Sequence, residues 1–157
     1  MVFELVFCAI FAAFSVFMTA QDIKTQKVSR WCSVALLVVS VAARLVFCVG
    51  EERVGFVASA AIGLLVFEAV RLVVKKRLGL ADVFYSGSSG ALLGFDMWLA
   101  ACAIACAAAA GVIYLRVRKA TRAGEEFTKD AALRMPVPFI PCIFFGTIIS
   151  KIIYFFI

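Results

Sequence analysis

The chain has 157 residues, of which 65% are hydrophobic, and a mean hydropathy of +1.07. This composition excludes an ordinary soluble domain and indicates a protein that crosses a membrane several times. The formal net charge of +6 does not imply a nucleic-acid partner, because loop charge bias and contact with anionic membrane lipid account for it. The absence of histidine excludes Ser-His triads, HExxH zinc proteases and most zinc sites, so acid–base chemistry would fall to carboxylates.

Five apolar runs are long enough to cross a hydrocarbon core of about 30 Å as helices, and a further run, the fourth along the chain, is short and rich in glycine. Because no basic residue precedes the first run, we expect it to remain as a span and not to be removed as a signal peptide. The sequence therefore predicts one all-α, membrane-embedded domain over residues 1–157, with no second domain. Its six transmembrane helices would be Val2–Ala20, Trp31–Val49, Gly55–Val74, Leu80–Phe95, Met97–Leu115 and Val137–Ile157.

Lysine and arginine gather in alternate connections between these runs. By the positive-inside rule those connections are cytoplasmic, which places both chain ends outside. The other connections carry Glu51, Glu52, Arg53 and Asp96. The basic connections carry Lys24, Lys27 and Arg30, then Lys75, Lys76 and Arg77, then Arg116, Arg118, Lys119, Arg122, Lys129 and Arg134.

Two aspartates lie where an apolar run meets a basic cluster on the predicted cytoplasmic side. Asp22 follows the first run, and Asp82 follows residues 75–77 and opens the glycine-rich run. Ionisable residues at a hydrocarbon boundary are functional candidates. The helical face of Asp22 is mildly polar, with Ser15, Met18 and Thr19.

Small residues follow Asp82 on one helical stripe, at Ser86, Gly90 and Gly94, and the two glycines form a GxxxG motif. Small side chains permit close approach of helices, so this stripe should face other helices and Asp82 should point into the bundle. In the alternative interpretation, Asp82 only caps the backbone amides at the start of its own helix. That alternative leaves the glycine stripe unexplained.

The other carboxylates have simpler explanations. Glu68 lies inside an apolar run but three residues before Arg71, which predicts a local helical ion pair. The rest flank spans or lie in polar segments, where solvated surface charge suffices. They are Glu4, Glu51, Glu52, Asp96, Glu125, Glu126 and Asp130.

All six cysteines lie within apolar runs and none forms a CxxC pair, so neither a disulfide framework nor a metal site is expected. Cys102 and Cys106 share a helical face among alanines, which predicts a close helix contact there.

All three prolines stand at the start of the last run, at Pro136, Pro138 and Pro141. One proline suits an ordinary first turn. Three within six residues leave backbone groups unpaired, which is tolerated where the chain is buried in protein or lines a wet cavity. The cluster therefore predicts a shaped cavity edge.

Three motifs, in order and on one predicted face, resemble those of the type IV prepilin peptidases, the GxGD intramembrane aspartyl proteases. Gly79 to Asp82, followed by the glycine-rich helix, is similar to the GxGD region. Asp22 with the basic segment up to Val28 resembles the first aspartate motif of that family. Pro138 to Pro141, continuing to Gly146, resembles its Pro-Phe-Gly-Pro motif. Order, spacing and the six-span layout are similar over nearly the whole chain.

The chain departs from the family pattern at several positions. Ala81 replaces the second glycine of GxGD, Ser29 and Arg30 replace a Pro-Asn pair, and Ile140 replaces a glycine between two prolines. Each change adds bulk or alters the backbone near the implied site. The chain also resembles the short, peptidase-only form of the family, so methylation of the new N-terminus is not expected.

The resemblance implies an aspartyl endopeptidase of the inner (cytoplasmic) membrane, with Asp22 and Asp82 catalytic and no metal or cofactor. Two carboxylates brought together would share one proton near neutral pH, one acting as base and the other as acid. The implied substrate is a prepilin-like precursor with a short basic leader, a glycine before the cut and an apolar helix after it. Residues implied to shape the site are Gly79, Ala81, Ser86, Gly90, Gly94, Pro138 and Pro141.

The same acids and motifs are also compatible with two other functions. A small proton-coupled transporter could employ the intramembrane acids and Glu68. A non-catalytic subunit of pilus assembly could keep the fold while tolerating the departures from the motifs.

The orientation can be tested by cysteine labelling in a background from which the six native cysteines have been removed. Because the basic connections are predicted to be cytoplasmic, Arg122→Cys should be protected from an impermeant reagent added outside, and Glu52→Cys should react. The reverse labelling pattern would place both aspartates on the outer side and contradict the prediction.

Overall fold

The computed structural model describes residues 2–25, 28–74, 78–122 and 139–156. These residues form helices and no strand, which confirms the all-α class. Four helices, α1, α2, α3 and α5, are long and apolar enough to cross a membrane. In chain order the helices are α1 (Val2–Thr25), α2 (Arg30–Phe47), α3 (Glu51–Val73), α4 (Leu80–Leu93), α5 (Phe95–Arg122) and α6 (Phe139–Phe156).

Two helices continue beyond the apolar runs that predicted them. α1 ends at Thr25 instead of Ala20, and α5 ends at Arg122 instead of Leu115. The polar residues at these ends are compatible with helical backbone, so loss of hydrophobicity marks the membrane boundary and not the end of the helix. Asp22 consequently lies within the last turns of α1.

α4 is the central helix, in contact with α2, α3, α5 and α6. Its 14 residues extend over about 21 Å at 1.5 Å per residue, which is short for a span. From Tyr85 to Leu93 every residue is buried. Because neighbouring helices and not lipid surround it, α4 does not need the length or hydrophobicity of a lipid-facing helix.

Small residues let α4 lie directly against α3. A Cβ on Gly90 would lie 2.6 Å from the carbonyl oxygen of Ser59, and a Cβ on Gly63 would lie 3.0 Å from that of Ser86. Each helix therefore contributes a glycine at which the partner backbone leaves no room for a side chain. The predicted packing role of Ser86 and Gly90 is confirmed.

Gly94 lies at the end of this packing stripe, where a Cβ would lie 3.3 Å from Cε1 of Phe56 on α3, and it has a second role. It ends α4 with a φ of 78° and donates its N–H to the carbonyl of Gly90 at 2.9 Å. Glycine adopts positive φ at little cost, which suits it to the end of a helix. Of the two glycines spaced four residues apart, Gly90 thus lies at the contact with α3 and Gly94 also ends the helix.

α5 and α6 form a second close contact. A Cβ on Gly146 would clash with the carbonyl oxygen of Ala101, so Gly146 lets the two helices touch. The buried residues of α5 are Trp98, Ala101, Ala105 and Ala109. The predicted contact at Cys102 and Cys106 was placed one residue away from the buried alanines, and Cys106 is exposed. Alanines, being smaller, occupy the tight positions.

We call the end of the bundle that carries Asp22 and Asp82 the aspartate end, and the opposite end, where α4 ends and α5 begins, the distal end. Arg44 of α2 lies at the distal end and is only 1% exposed. Its Nε donates to the carbonyl of Ala91 at 2.9 Å and its Nη2 to that of Leu92 at 2.8 Å. Its Nη1 forms an ion pair with Glu4 of α1.

Two aromatic rings complete the surroundings of this guanidinium. Its central carbon lies 3.9 Å from the ring centroid of Phe56 and 5.1 Å from that of Phe7. Sequence reasoning had not identified Arg44. One side chain thus links α1, α2 and the carbonyls that the end of α4 leaves unpaired.

Arg44→Ala should lower the free energy of unfolding by about 3 kcal/mol, the low end for removal of one partner of a buried ion pair, because Glu4 is 44% exposed on its side chain. The loss can be followed by the fluorescence of Trp98 and Trp31 during thermal unfolding in detergent. Arg30→Ala, at the exposed start of the same helix, is the matched control and should change stability by less than about 0.5 kcal/mol. Equal stability of the two variants would show that Arg44 does not hold the helices together.

Candidate active site

Asp22 is buried near the end of α1, with 9% of its surface exposed. It lies seven residues after Ser15 and four after Met18, so all three share one face of the helix. Ser15 and Met18 have no exposed surface. This face of α1 turns toward the interior of the bundle, and the polar stripe predicted from the sequence is confirmed as buried.

The N-terminus of α6 lies beside Asp22. The backbone N–H of Ile140 is close enough to the Asp22 carboxylate to stabilise its charge. First-turn N–H groups have no partner within their own helix and favour a negative charge, so α6 presents a donor at this point. Oδ2 of Asp22 is buried and has no hydrogen-bond partner among the described residues.

Asp82 lies in the first turn of α4 and is half-buried. Its Oδ2 accepts a hydrogen bond from the N–H of Gly79 at 3.0 Å, and its own N–H donates to the carbonyl of Gly79 at 3.2 Å. This is half of a capping box, because glycine has no side chain to return the second bond. The capping alternative was therefore correct about this contact.

Capping does not use the whole Asp82 side chain. Its Oδ1 accepts no hydrogen bond from the part of the chain that the structure describes. The Asp82 carboxylate also lies close enough to Asp22 for the two charges to interact. The structure thus brings together the two aspartates that the sequence singled out, 60 positions apart in the chain.

A buried hydrogen bond sets α1 and α4 relative to each other. Tyr85 Oη donates to Ser15 Oγ at 2.8 Å, and Ser15 Oγ donates to the carbonyl of Phe11 at 2.7 Å. Tyr85 follows Asp82 by one helical turn, and Ser15 precedes Asp22 by two. From this bond, Asp22 lies farther along α1 and Asp82 lies back along α4, so both carboxylates are on the side of the aspartate end. The bond therefore helps to position the two carboxylates relative to each other. Tyr85 had not been singled out from the sequence.

The positions that depart from the family pattern are accommodated in specific ways. Ile140 is fully buried in the apolar core, so its added side chain fills space between helices. Ser29 precedes α2, and its N–H donates to Oε1 of Gln21 at 3.2 Å. Proline at position 29 could not make this bond, because it lacks the N–H.

Ala81 and Pro141 are also explained by their helical positions. α4 begins at Leu80, so Ala81 is already helical and needs no positive φ, and it is 7% exposed. Pro141 lies in the first turn of α6, where the missing N–H costs no intrahelical bond. Pro136 and Pro138, with the cavity edge predicted there, lie outside the described residues.

Glu68 is not available to this site. Arg71 Nη1 donates to Glu68 Oε1 at 2.7 Å, which confirms the predicted ion pair three residues apart on α3. Among residues 2–25, 28–74, 78–122 and 139–156 there is no cluster of three Cys, Asp or Glu side chains that could hold a metal ion. All six cysteines lie in the described residues, and none of them forms a disulfide.

Comparison of the sequence with models of protein families shows to which family this chain is related. The model of the type IV leader peptidase family matches residues 9–115, about two thirds of the sequence. The chain belongs to the type IV leader peptidase family. Neither the curated proteins nor the solved structures gave a match.

Family membership makes the protein a membrane-embedded peptidase. The matched range contains Asp22, Asp82 and the hydrogen bond between Ser15 and Tyr85. It ends before α6, so the Ile140 donor and the Gly146 contact lie beyond it.

Ala81 provides a test of packing beside Asp82. Ala81→Gly should leave the rate of substrate cleavage within about twofold, because the position is helical and a methyl group is all that is lost. Ala81→Leu should reduce cleavage to background while the protein still inserts, because over-packing costs about 1–3 kcal/mol and shifts the backbone next to the carboxylate. The measurement is cleavage of a prepilin in detergent, normalised to the amount of folded protein. Wild-type activity of the leucine variant would show that close packing at Asp82 is not needed.

Proposed function

We propose that the protein is an aspartic endopeptidase that removes the leader from type IV prepilin-like precursors at the cytoplasmic face of the inner membrane. The observation that carries the proposal is the approach of Asp22 and Asp82 to each other within a member of a peptidase family. Acids are costly in an apolar bundle, and two of them on one buried face call for a functional explanation.

The pair would act as one proton-sharing unit. Two adjacent carboxylates resist being charged together, so near neutral pH one keeps a proton and the other is ionised. The ionised aspartate would take a proton from water as the water oxygen attacks the scissile carbonyl carbon. The protonated aspartate would donate a hydrogen bond to the carbonyl oxygen, and a proton would pass to the leaving amine.

Backbone donors support this arrangement. The Ile140 N–H lies beside Asp22 and the Gly79 N–H donates to Asp82, so a backbone N–H group faces each carboxylate. Asp22 Oδ2 and Asp82 Oδ1 accept no hydrogen bond from the described residues, which leaves one oxygen on each for water, substrate or the shared proton. Either aspartate can begin the reaction as the base.

The family and the position of the pair support this choice of substrate. A leader peptidase cuts between a leader and the segment that follows it. An apolar substrate helix would approach the aspartates from the membrane, near the end of α1 and the start of α4. A short basic leader would then remain at the aspartate end, where the lysines and arginines of the sequence gather.

Asp22→Asn and Asp82→Asn should each reduce prepilin cleavage to background, and the double variant should be no worse than either. The losses of cleavage activity should not add, because neither aspartate supports cleavage without the other. At position 82 the asparagine side chain still has a carbonyl oxygen that can accept the Gly79 N–H, so the start of α4 should remain capped. The measurement is cleavage of a prepilin by purified protein, with insertion and thermal stability checked for every variant.

Glu68→Gln is the matched control, because it removes a carboxylate that lies at the same end of the bundle but is paired with Arg71. It should keep most of the activity. Near-normal cleavage by either single aspartate variant would refute the proposed pair. Proton-dependent uptake into vesicles without cleavage would instead identify a transporter, and neither activity would identify a non-catalytic assembly subunit.

A further inference from the structure

A cavity bounded by described residues lies at the distal end, away from the aspartates. Its volume is about 830 Å³, within the range of small-molecule sites. All six helices contribute to its lining: Glu4 and Leu5 of α1, Arg44 of α2, Glu52 of α3, Leu93 of α4, Asp96 of α5 and Lys151 of α6 are among the residues that surround it. The peptidase mechanism uses none of them.

Two of the charged side chains in this cavity are already satisfied. Arg44 is paired with Glu4 and donates to two carbonyls of α4. Glu52, Asp96 and Lys151 line the same cavity, yet none of them forms an ion pair with any described residue. The cavity therefore offers two carboxylates and one ammonium group to a ligand.

These three charges differ in exposure. Glu52 and Asp96 are each the second residue of a helix that begins at the distal end, and both are exposed. Lys151 is half-buried. Because α5 and α6 run in opposite directions and touch at Ala101 and Gly146, Asp96 and Lys151, each five residues from that contact, lie at about the same depth. A bound molecule would meet carboxylates and the lysine side by side.

Apolar side chains line the same cavity. Leu5 is 65% exposed and Phe95 is 45% exposed, so both present apolar surface at the edge of the cavity. Phe56 and Met97 contribute to its wall. Within a membrane protein, apolar surface that continues from a charged cavity suits a molecule with a polar head and a hydrocarbon chain.

We propose that this cavity binds one phospholipid whose headgroup is zwitterionic and carries a primary ammonium, as in phosphatidylethanolamine. The ammonium would contact Glu52 and Asp96, and the phosphate would contact Lys151, so that each charge of the headgroup would meet an opposite charge. The unpaired charges of the cavity sum to about −1, which disfavours an anionic headgroup. A quaternary ammonium would bind less well, because it has no N–H to donate to the carboxylates.

Native mass spectrometry of the delipidated full-length protein in detergent tests the proposal. The probes are phosphatidylethanolamine, phosphatidylglycerol and phosphatidylcholine with identical acyl chains. One phosphatidylethanolamine should bind at least about tenfold more tightly than either of the others, as expected when a charge-assisted hydrogen bond is lost. Glycerophosphoethanolamine, which has the headgroup without acyl chains, should bind far more weakly.

Variants locate the binding. Glu52→Gln with Asp96→Asn should abolish the preference for phosphatidylethanolamine over phosphatidylcholine, and Lys151→Met should weaken both lipids together, because both have the phosphate. Lys119→Met, an exposed lysine of α5 far along the helix from Asp96, is the control and should change nothing. Each variant is first checked for unchanged thermal stability.

Filling the cavity provides a second test that does not depend on charge. A side chain at Gly55, which lines the cavity, would meet no atom within 4 Å, so Gly55→Trp should fold and exclude the lipid. Gly111→Trp, also in open space but on α5 away from the cavity, should bind normally. Equal binding of the three phospholipids, tighter phosphatidylglycerol binding, equal binding of the chain-free headgroup, or full binding by Gly55→Trp would each overturn the proposal.

Discussion

A helix buried on all sides must have its terminal backbone groups paired, because neither lipid nor apolar side chains can hydrogen-bond to them, and this constraint organises the molecule around α4. Arg44 meets it at the distal end by donating to the carbonyls of Ala91 and Leu92. Gly94 adds a turn with positive φ that closes the last hydrogen bond. Because Arg44 is in turn paired with Glu4, the end of α4 is fixed to α1 and α2 together. A guanidinium suits this position, since its five donors can serve two carbonyls and a carboxylate at once.

The same requirement at the other end of α4 is met by Asp82, which receives the N–H of Gly79. One residue therefore has two roles, as a helix cap through Oδ2 and as a partner of Asp22. The hydrogen bond between Tyr85 and Ser15 fixes the position of α1 one turn farther into the bundle. Because Arg44 ties the distal end of α4 to α1 and α2, and Tyr85 ties one point along it to α1, the packing of the helices contributes to the distance between the two carboxylates.

Much of this could be predicted from the sequence, and the misses have physical causes. Charge at a hydrocarbon boundary identified Asp22 and Asp82, and spacing identified the ion pair of Glu68 with Arg71. The role of Arg44 was not predicted, because a lone arginine in an apolar run does not indicate its partners. These come from three other parts of the chain. The position of the Ile140 N–H beside Asp22 was not predicted, because every residue except proline has a backbone N–H and the sequence does not mark this one. On α5 the close contact was predicted, but its face was displaced by one residue, since alanine and cysteine alternate there and both are small. The role of Gly94 in ending α4 was not predicted, because one spacing fits both packing and capping.

The two small residues before Asp82 differ in what the structure requires of them. Gly79 has an extended backbone with a φ of −70°, which any residue can adopt, so conformational freedom does not explain it. A Cβ there would lie 3.0 Å from Asp82 Oδ2, in the space that the capping carboxylate occupies. Any larger residue at position 79 would require the Asp82 carboxylate to move by a few tenths of an ångström, so glycine lets it stay in its capping position. At Ala81 the backbone is already helical and the methyl group is buried within the apolar core, where it adds contact instead of conflict. The two small residues therefore differ in how closely each approaches the Asp82 carboxylate, and alanine suits the second position.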